Sequence, residues 1–305
     1  MKKLGLSIAI ATAFVAAPAL ALDDYATAQP AFVVPSAMFN ATQTTAVGIT
    51  NHSTASVAVF WSFHNVNSEH VTDGTICLTA KDFQSFAWNA DSAGVGLADV
   101  PGYLVFAAGT GKPVADATTG ACTSMTDVSD TINPAALISA NAFQINTTNK
   151  DVAVTPVVPL AAGDFTSTAK LSSLGANDLI GAAAAGDFTT AGTLSLRYYR
   201  PATGSTTIYI WSANDVKGDY TVNAYDNQQN RKSVQLVLPN KELNLIDPSK
   251  IVGMPSSFVD GFIEWTPSRT ALPTTNPDAY KGIFSYSVVS DSTFGAVQTL
   301  LNASF

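Results

Sequence analysis

Charge is what this chain most lacks: Asp, Glu, Lys and Arg make up 12% of its 305 residues, where an ordinary soluble domain carries roughly 25%. Cysteine, histidine and methionine are nearly as scarce, at two, three and four residues. Two cysteines without C-x-x-C spacing exclude a thiol-redox motif and a cysteine-built metal site. Glutamate is confined to Glu69, Glu242 and Glu264. There is no G-x-S-x-G elbow, H-E-x-x-H pair, P-loop or dinucleotide-binding fingerprint, so the common hydrolase, metalloprotease and nucleotide-binding signatures are missing. Beyond the N-terminus no apolar run is long enough for a transmembrane helix. No catalytic residue and no cofactor are expected.

What is present begins with an address. Met1-Lys2-Lys3 is a short basic segment, Leu4 to Ala17 is an apolar run, and Ala19-Leu20-Ala21 is a small-x-small cleavage site, the three parts of a secretory signal peptide over residues 1–21. The mature chain then starts at Leu22, and the 305 residues less 21 leave 284, enough for two cores of ordinary size. No cysteine follows the cleavage site to take a lipid, so the product is expected to be exported, to a periplasm, the cell surface or the medium. Taking Lys2 and Lys3 from the 15 basic residues leaves 13 against 23 acidic ones, a formal charge of −10. That balance argues against nucleic acid or an anionic membrane as partner. The mean hydropathy is nevertheless positive, at +0.19, so apolar surface is expected to remain for a domain interface or a partner.

The second half of the chain rewrites the first. Phe63-His64-Asn65 is echoed by Tyr225-Asp226-Asn227, Leu78 to Phe83 by Leu238 to Leu243, and Gly102-Tyr103-Leu104-Val105-Phe106 by Gly261-Phe262-Ile263-Glu264-Trp265. The offset drifts only from 162 to 160 to 159 residues, as loop indels between two copies of one fold would produce. Within each copy, short runs rich in β-branched and aromatic residues alternate with Asn/Asp/Gly turns, for example Thr206 to Trp211, Tyr220 to Tyr225 and Ser233 to Leu238. The pattern predicts an all-β protein of two tandem antiparallel β-sandwich domains, immunoglobulin-like in strand number and spacing. The first spans residues 22–160 and the second 193–305. Between them, the Ala/Gly-rich stretch 161–192 reads as a linker, in which Leu171 to Ala185 could form a short helix.

Two cysteines in an exported chain predict one disulfide, Cys77–Cys122. Cys122 lies in a polar stretch, Gly109 to Asn133, that lengthens the first copy only. The bond would close a loop of 45 residues and stabilise the fold by about 4 kcal/mol in the chain-entropy treatment.

Comparing the copies grades the remaining residues. His52, His64 and His70 are the only histidines, but His64 aligns with Asp226 before an Asn-rich turn, which favours local geometry over metal ligation. Asn89 to Asp99 and Asn214 to Asp219 lack the alternating oxygen ligands of a calcium loop. Glu242 aligns with Asp82 in a turn, and Trp88, Trp211 and Trp265 read as core. On the pairing of Phe63 with Tyr225, Val59 and Trp61 match Thr221 and Asn223, while Phe60 and Ser62 match Val222 and Ala224. Val59, Trp61 and Phe63 therefore form a candidate interface face toward the second domain, the insert or another molecule; the alternative is that this strand is buried on both sides.

Through the repeated strand, Asn-turn, strand, Leu-x-x-x-Asp/Glu and Gly-aromatic pattern, the chain resembles uncharacterised secreted bacterial proteins built from tandem immunoglobulin-like sandwiches. Its composition alone is similar to that of surface-layer proteins. Neither likeness carries an active site. The expectation is a non-enzymatic structural, adhesive or assembly protein of the cell envelope, working through edge strands or an apolar face on a protein partner or on itself. The alternative is a carbohydrate or small-ligand binder at the domain junction. An outer-membrane barrel is a third reading, prompted by the alternation Val297, Thr299, Leu301, Ala303, Phe305.

Overall fold

The computed structural model describes residues 28–91, 96–116, 118–119, 122–148, 150–166, 168–174, 178–179, 193–213, 215–267, 283–291 and 296–304. The signal peptide read at 1–21 lies outside them. The regular structure of the described residues is almost all antiparallel β-strand. The first half contributes β1 (Ala31–Ala37), β2 (Gln43–Asn51), β3 (Val57–Asn65), β4 (His70–Leu78), β5 (Phe83–Ala87), the one-turn helix α1 (Trp88–Asp91), β6 (Gly102–Ala115), β7 (Cys122–Ser129), β8 (Ile138–Asn146), β9 (Asp151–Thr155) and β10 (Val158–Leu160). The second contributes β11 (Leu194–Tyr199), β12 (Gly204–Ser212), β13 (Gly218–Asp226), β14 (Arg231–Leu238), β15 (Leu243–Ile246), β16 (Asp260–Trp265), β17 (Ile283–Asp291), β18 (Ala296–Leu301) and β19 (Ala303–Ser304).

These strands form four sheets whose orders repeat. The large sheet of the first unit runs β4-β3-β6-β1-β10, and that of the second runs β14-β13-β16-β11-β19. The small sheets run β5-β2-β8-β9 and β15-β12-β17-β18. Strand for strand, in chain order, the two units are the same; β7, hydrogen-bonded to the far end of β6, has no counterpart among the described residues of the second. In each unit the large and small sheets close on a shared apolar core, a sandwich-like packing. The first and second strands of each unit lie in different sheets, whereas the constant-type immunoglobulin order sets them side by side in one. β18 and β19 also part company: β18 borders the small sheet, and β19 pairs with β11 of the large one. Of the terminal alternation, Val297, Thr299 and Leu301 therefore lie on the small sheet and Ala303 on the large one, while Phe305 lies outside the described residues.

Turn chemistry fixes the register between the copies. The Asn65 side chain accepts from the backbone N–H groups of Asn67 and Glu69, at 2.9 and 3.1 Å, and Ser68 takes a left-handed φ of 63°. The Asp226 side chain does the same for Gln228 and Asn230, at 2.9 and 2.8 Å, with Gln229 at φ 66°. Across the sheet, Asn65 is opposite Gly102 and Asp226 is opposite Gly261. Both glycines are required by close approach, because a Cβ would stand 2.2 Å from the His64 carbonyl oxygen in one case and 1.8 Å from that of Tyr225 in the other. The structural partner of Asp226 is thus Asn65, and His64 corresponds to Tyr225, one residue away from the alignment that sequence alone gives.

The linker helix expected over Leu171 to Ala185 falls largely outside the described residues. Its described part is one 3-10 turn, Leu171–Ser173, followed by Leu174 and, further on, by Asp178 and Leu179, the latter bridged to Phe165. The hairpin of β6 and β7 fills the insert of the first unit; the matching stretch of the second, residues 268–282, lies outside the described residues.

Candidate functional site

The burial pattern of the two large sheets differs. β11 alternates buried and half-buried residues, the signature of a sheet with one face on a core. β1 is buried at all seven positions, and β3 at eight of nine. Both faces of the first large sheet are therefore covered over β1 and β3, while its edge strand β4 is largely exposed. Inward lies the core of the first unit. Outward, Ala31, Val33, Ala58, Phe60, Tyr103, Val105 and Ala107 meet the outer face of the second unit's small sheet, where Tyr209, Trp211, Leu243, Phe284 and Tyr286 project. Phe165, Leu171, Leu174 and Leu179 from the linker join the same cluster, so the two units and their connection share a third apolar core. Within it, Tyr103 and Trp211 meet edge to face with centroids 5.8 Å apart, and Tyr209 stacks on Tyr286 at 4.7 Å.

Polar contacts align this junction. The backbone N–H groups of Glu242 and Leu243 both donate to the Val66 carbonyl, at 3.2 and 3.1 Å, and Lys241 N–H donates to Asn67 Oδ1 at 3.3 Å. At the other end, Thr299 Oγ1 donates to the Val154 carbonyl at 2.6 Å. Glu242 turns its carboxyl into the junction, where it is 6% exposed. Tyr103 donates its hydroxyl to Glu242 Oε2 at 2.9 Å, and Ser68 Oγ bonds both that oxygen and the Tyr103 hydroxyl. Burial pushes the Glu242 carboxyl up to about 7, against the downward pull of its bonds from Ser68 and Tyr103. Burial likewise raises Tyr103 well above its ordinary value. His64 stacks on Tyr103 with centroids 5.1 Å apart and shares a 3.0 Å hydrogen bond with Ser62. Burial, reinforced by the neighbouring His70, lowers His64 to about 4, so it is neutral at physiological pH. Below pH 7, where Glu242 is mostly protonated and His64 neutral, the cluster is a hydrogen-bonded seam between units.

Val59, Trp61 and Phe63 are not part of this junction. They point into the core of the first unit, where Trp61 packs edge to face on Phe86 and Trp88 at 5.3 and 6.0 Å. The face that meets the second unit is the opposite one, carrying Ala58 and Phe60. The one-residue difference in alignment is the physical reason, because side chains along a strand alternate and a shift of one exchanges its faces. In the corrected register Trp61 and Phe63 correspond to Val222 and Ala224, core residues of the second unit, and Phe60 corresponds to Thr221. The expectation that one face of this strand changed character between copies thus attaches to Phe60, and the strand is buried on both sides.

The other predicted residues fall as follows. Cys77 on β4 and Cys122 on β7 stand at disulfide distance, with Cα atoms 5.9 Å apart. His52 bonds Ser139 Oγ at 2.7 Å, and His70 pairs with Asp73 at 3.1 Å. Among the described residues no group of three His, Cys, Asp or Glu could hold a metal ion. Trp88, Trp211 and Trp265 are each at most 1% exposed. Asp82 and Glu242 do correspond, since Asn51 N–H donates to the Asp82 carbonyl as Ser212 N–H does to that of Glu242, both at 2.9 Å. Their side chains differ in use. Asp82 caps Thr79 within its own turn, whereas Glu242 reaches into the junction.

Among the described residues, two of the surface depressions lie on the sheets. An apolar groove of about 580 Å³ lies beside β9 and β18, lined by Phe143, Val152, Val154, Val297 and Leu301 among others. A trough of about 550 Å³ lies on the outer face of the second large sheet, lined by Thr193, Asp219, Thr221, Asn223, Glu264 and Thr266 around the backs of Tyr220, Val222 and Trp265. No family model, no curated protein and no solved structure matches this chain.

Proposed function

We propose that this is an exported, non-enzymatic adhesive or structural protein of the cell envelope, whose two sandwich domains act as one rigid body. The observation behind this reading is the third core. It joins the outer face of the first large sheet, the outer face of the second small sheet and four linker residues, a contact that resembles a domain interior more than a transient domain interface. A rigid, acidic, weakly charged double unit suits a spacer or adhesin that presents its remaining surfaces in fixed geometry. The most strongly perturbed junction groups, Tyr103, Glu242 and His64, are explained by burial at the seam and need no catalytic role. A Cys77–Cys122 bond fits an oxidising destination.

The test is export followed by retention. The full chain is expressed with a C-terminal tag, cells are fractionated, and the purified mature protein is mixed with envelope fragments of the producing cell. Saturable co-sedimentation of a cleaved, exported product is expected. A product that stays in the cytosol uncleaved, or a mature chain left wholly in the supernatant, refutes the reading.

A second reading is favoured by the groove beside β9 and β18. Its apolar lining at the junction of the units suits a small hydrophobic ligand. A thermal shift with aliphatic or aromatic probes, abolished by Val154→Asp, would support it.

A further inference from the structure

The trough on the second unit occupies the place that, in the first unit, is the junction face. Setting Asn65 on Asp226 and Gly102 on Gly261 carries the correspondence along the strands. Ala58, Phe60 and Ser62 on β3 become Asp219, Thr221 and Asn223 on β13; Val105 and Ala107 on β6 become Glu264 and Thr266. Ala31, opposite Ala107, becomes Thr193, whose hydroxyl meets that of Thr266 at 2.7 Å. Pairings across the sheets agree: Ser62 is opposite Val105, and Asn223 is opposite Glu264. Five of these six positions are apolar in the first copy, and all six carry a hydroxyl, amide or carboxylate in the second. Lysine is absent from the six, and four of them are threonine or asparagine, short side chains that can both donate and accept hydrogen bonds close to the sheet.

The next position along the same two strands is aromatic in both copies. His64 stacks on Tyr103 at 5.1 Å in the first; Tyr225 stacks on Phe262 at 5.0 Å, with planes 14° apart, in the second. The first pair is shut beneath the seam, while Tyr225 and Phe262 are half-buried on the outer face. The second face thus presents, in sequence along one strand pair, two aromatic rings stacked on each other, a carboxylate beside an amide, and a set of hydroxyls. Asp219, Thr221 and Thr266 at the far end are exposed. Of the two guanidinium groups nearby, Arg197 is engaged by Asp260 and the Gly261 carbonyl, and Arg231, exposed and opposite Tyr225, stands at the aromatic end of the face; neither is among the residues that line the trough.

We infer that this trough binds a neutral oligosaccharide. A carboxylate and an amide side by side can accept and donate to vicinal hydroxyls, hydroxyl groups can bridge through water, and an aromatic face accepts the C–H side of a sugar ring. Asp219 and Glu264 would repel an anionic glycan or phosphate. The volume of about 550 Å³ lies within the usual range of small-ligand sites. The inference needs only the second unit's outer face and stands independently of envelope retention.

The experiment is titration calorimetry of the intact mature protein with cellohexaose, maltohexaose, mannohexaose, xylohexaose and chitohexaose, in chelator and again with calcium. At least one should bind saturably in chelator. Glu264→Gln, Asn223→Ala and Phe262→Ala should each weaken that binding about tenfold, the loss of one hydrogen bond to a charged group or one stacking face. Circular dichroism and the melting temperature check that each variant is folded, and Phe83→Ser on the first unit should leave binding unchanged. The inference is overturned if no saccharide of the panel binds, if calcium alone binds, or if folded trough variants bind as tightly as the parent.

Discussion

Replacing Glu242 by glutamine should stabilise the protein at pH 8 and leave it nearly unchanged at pH 4.5. Folding raises this carboxyl from 4.5 to about 7, so over that interval the folded chain holds a proton that the unfolded chain releases. Stability contributed by the protonated acid is complete below 4.5 and falls as pH rises through 7. Each pH unit is worth about 1.4 kcal/mol, which makes the buried carboxylate unfavourable by about 3 kcal/mol at pH 8. His64 acts in the opposite sense. Its folded value of about 4 lies below the ordinary 6.5, so its contribution is complete above 6.5 and is lost as pH falls toward 4, again by about 3 kcal/mol. Between pH 4.5 and 6.5 the two slopes oppose each other, and the parent should look insensitive to pH as far as these groups decide it. In Glu242→Gln the amide oxygen can still accept from Ser68 and Tyr103, so only the His64 slope remains. Urea unfolding followed by far-ultraviolet circular dichroism at pH 4.5, 6 and 8 gives the comparison. The variant's advantage should grow from near zero to about 3 kcal/mol. A difference independent of pH, or a less stable variant at pH 8, would refute the reasoning, because it would mean that the hydroxyl donors stabilise the anion more than burial disfavours it.

Three further outcomes are expected. Cys77→Ser should lower stability by up to about 4 kcal/mol, from the entropy of an opened loop, and the parent should show no free thiol until reduced; two titratable thiols in the unreduced mature protein would exclude the bond. Trp61→Ala removes a 9%-exposed side chain from the first core and should cost about 3–5 kcal/mol; a loss under about 1 kcal/mol in urea unfolding would contradict its placement there. Phe60→Asp puts a carboxylate into the junction while sparing both inner cores, so solution scattering should show a larger radius of gyration with circular dichroism unchanged; an unaltered radius would mean the third core does not hold the units together.

Much of the architecture was legible because its determinants are local. The Asn/Asp turns before β4 and β14, the glycines at 102 and 261, and the alternation of β14 from Ser233 to Leu238 each follow from chemistry within a few residues. The alignment slip also had a local cause: the matching asparagines at 65 and 227 attract a pairing, yet the turn is closed by Asn65 in one copy and Asp226 in the other, and only the hydrogen bonds distinguish these. The seam was not legible at all. Ser68 and Tyr103 lie 174 and 139 residues from Glu242, and no spacing rule links them. The trough could have been read from sequence in the corrected register, as a run of apolar-to-polar replacements at alternate positions. The sheet order follows from long-range pairings that periodicity does not encode.

The junction is a head-to-tail contact, in which the small sheet of one unit lies on the large sheet of another. Such a contact uses different patches on its two sides, and when every unit carries both it can repeat without limit into a fibre. The two faces left at the ends of this pair correspond to the joined ones but differ in kind. Where the second unit offers Tyr209, Trp211, Leu243, Phe284 and Tyr286, the first has Gly48, Thr50, Phe83, Ser139 and Asn141, matched through the same strand pairings. Phe83, 61% exposed, is the one large apolar side chain of that set. Where the first unit offers Phe60 and Val105, the second has Thr221 and Glu264. Repeating the junction at either end would bury Asn223 and Glu264, or Thr50, Ser139 and Asn141, without the apolar partners that the joined faces supply, so neither end face reproduces the contact that holds the pair together.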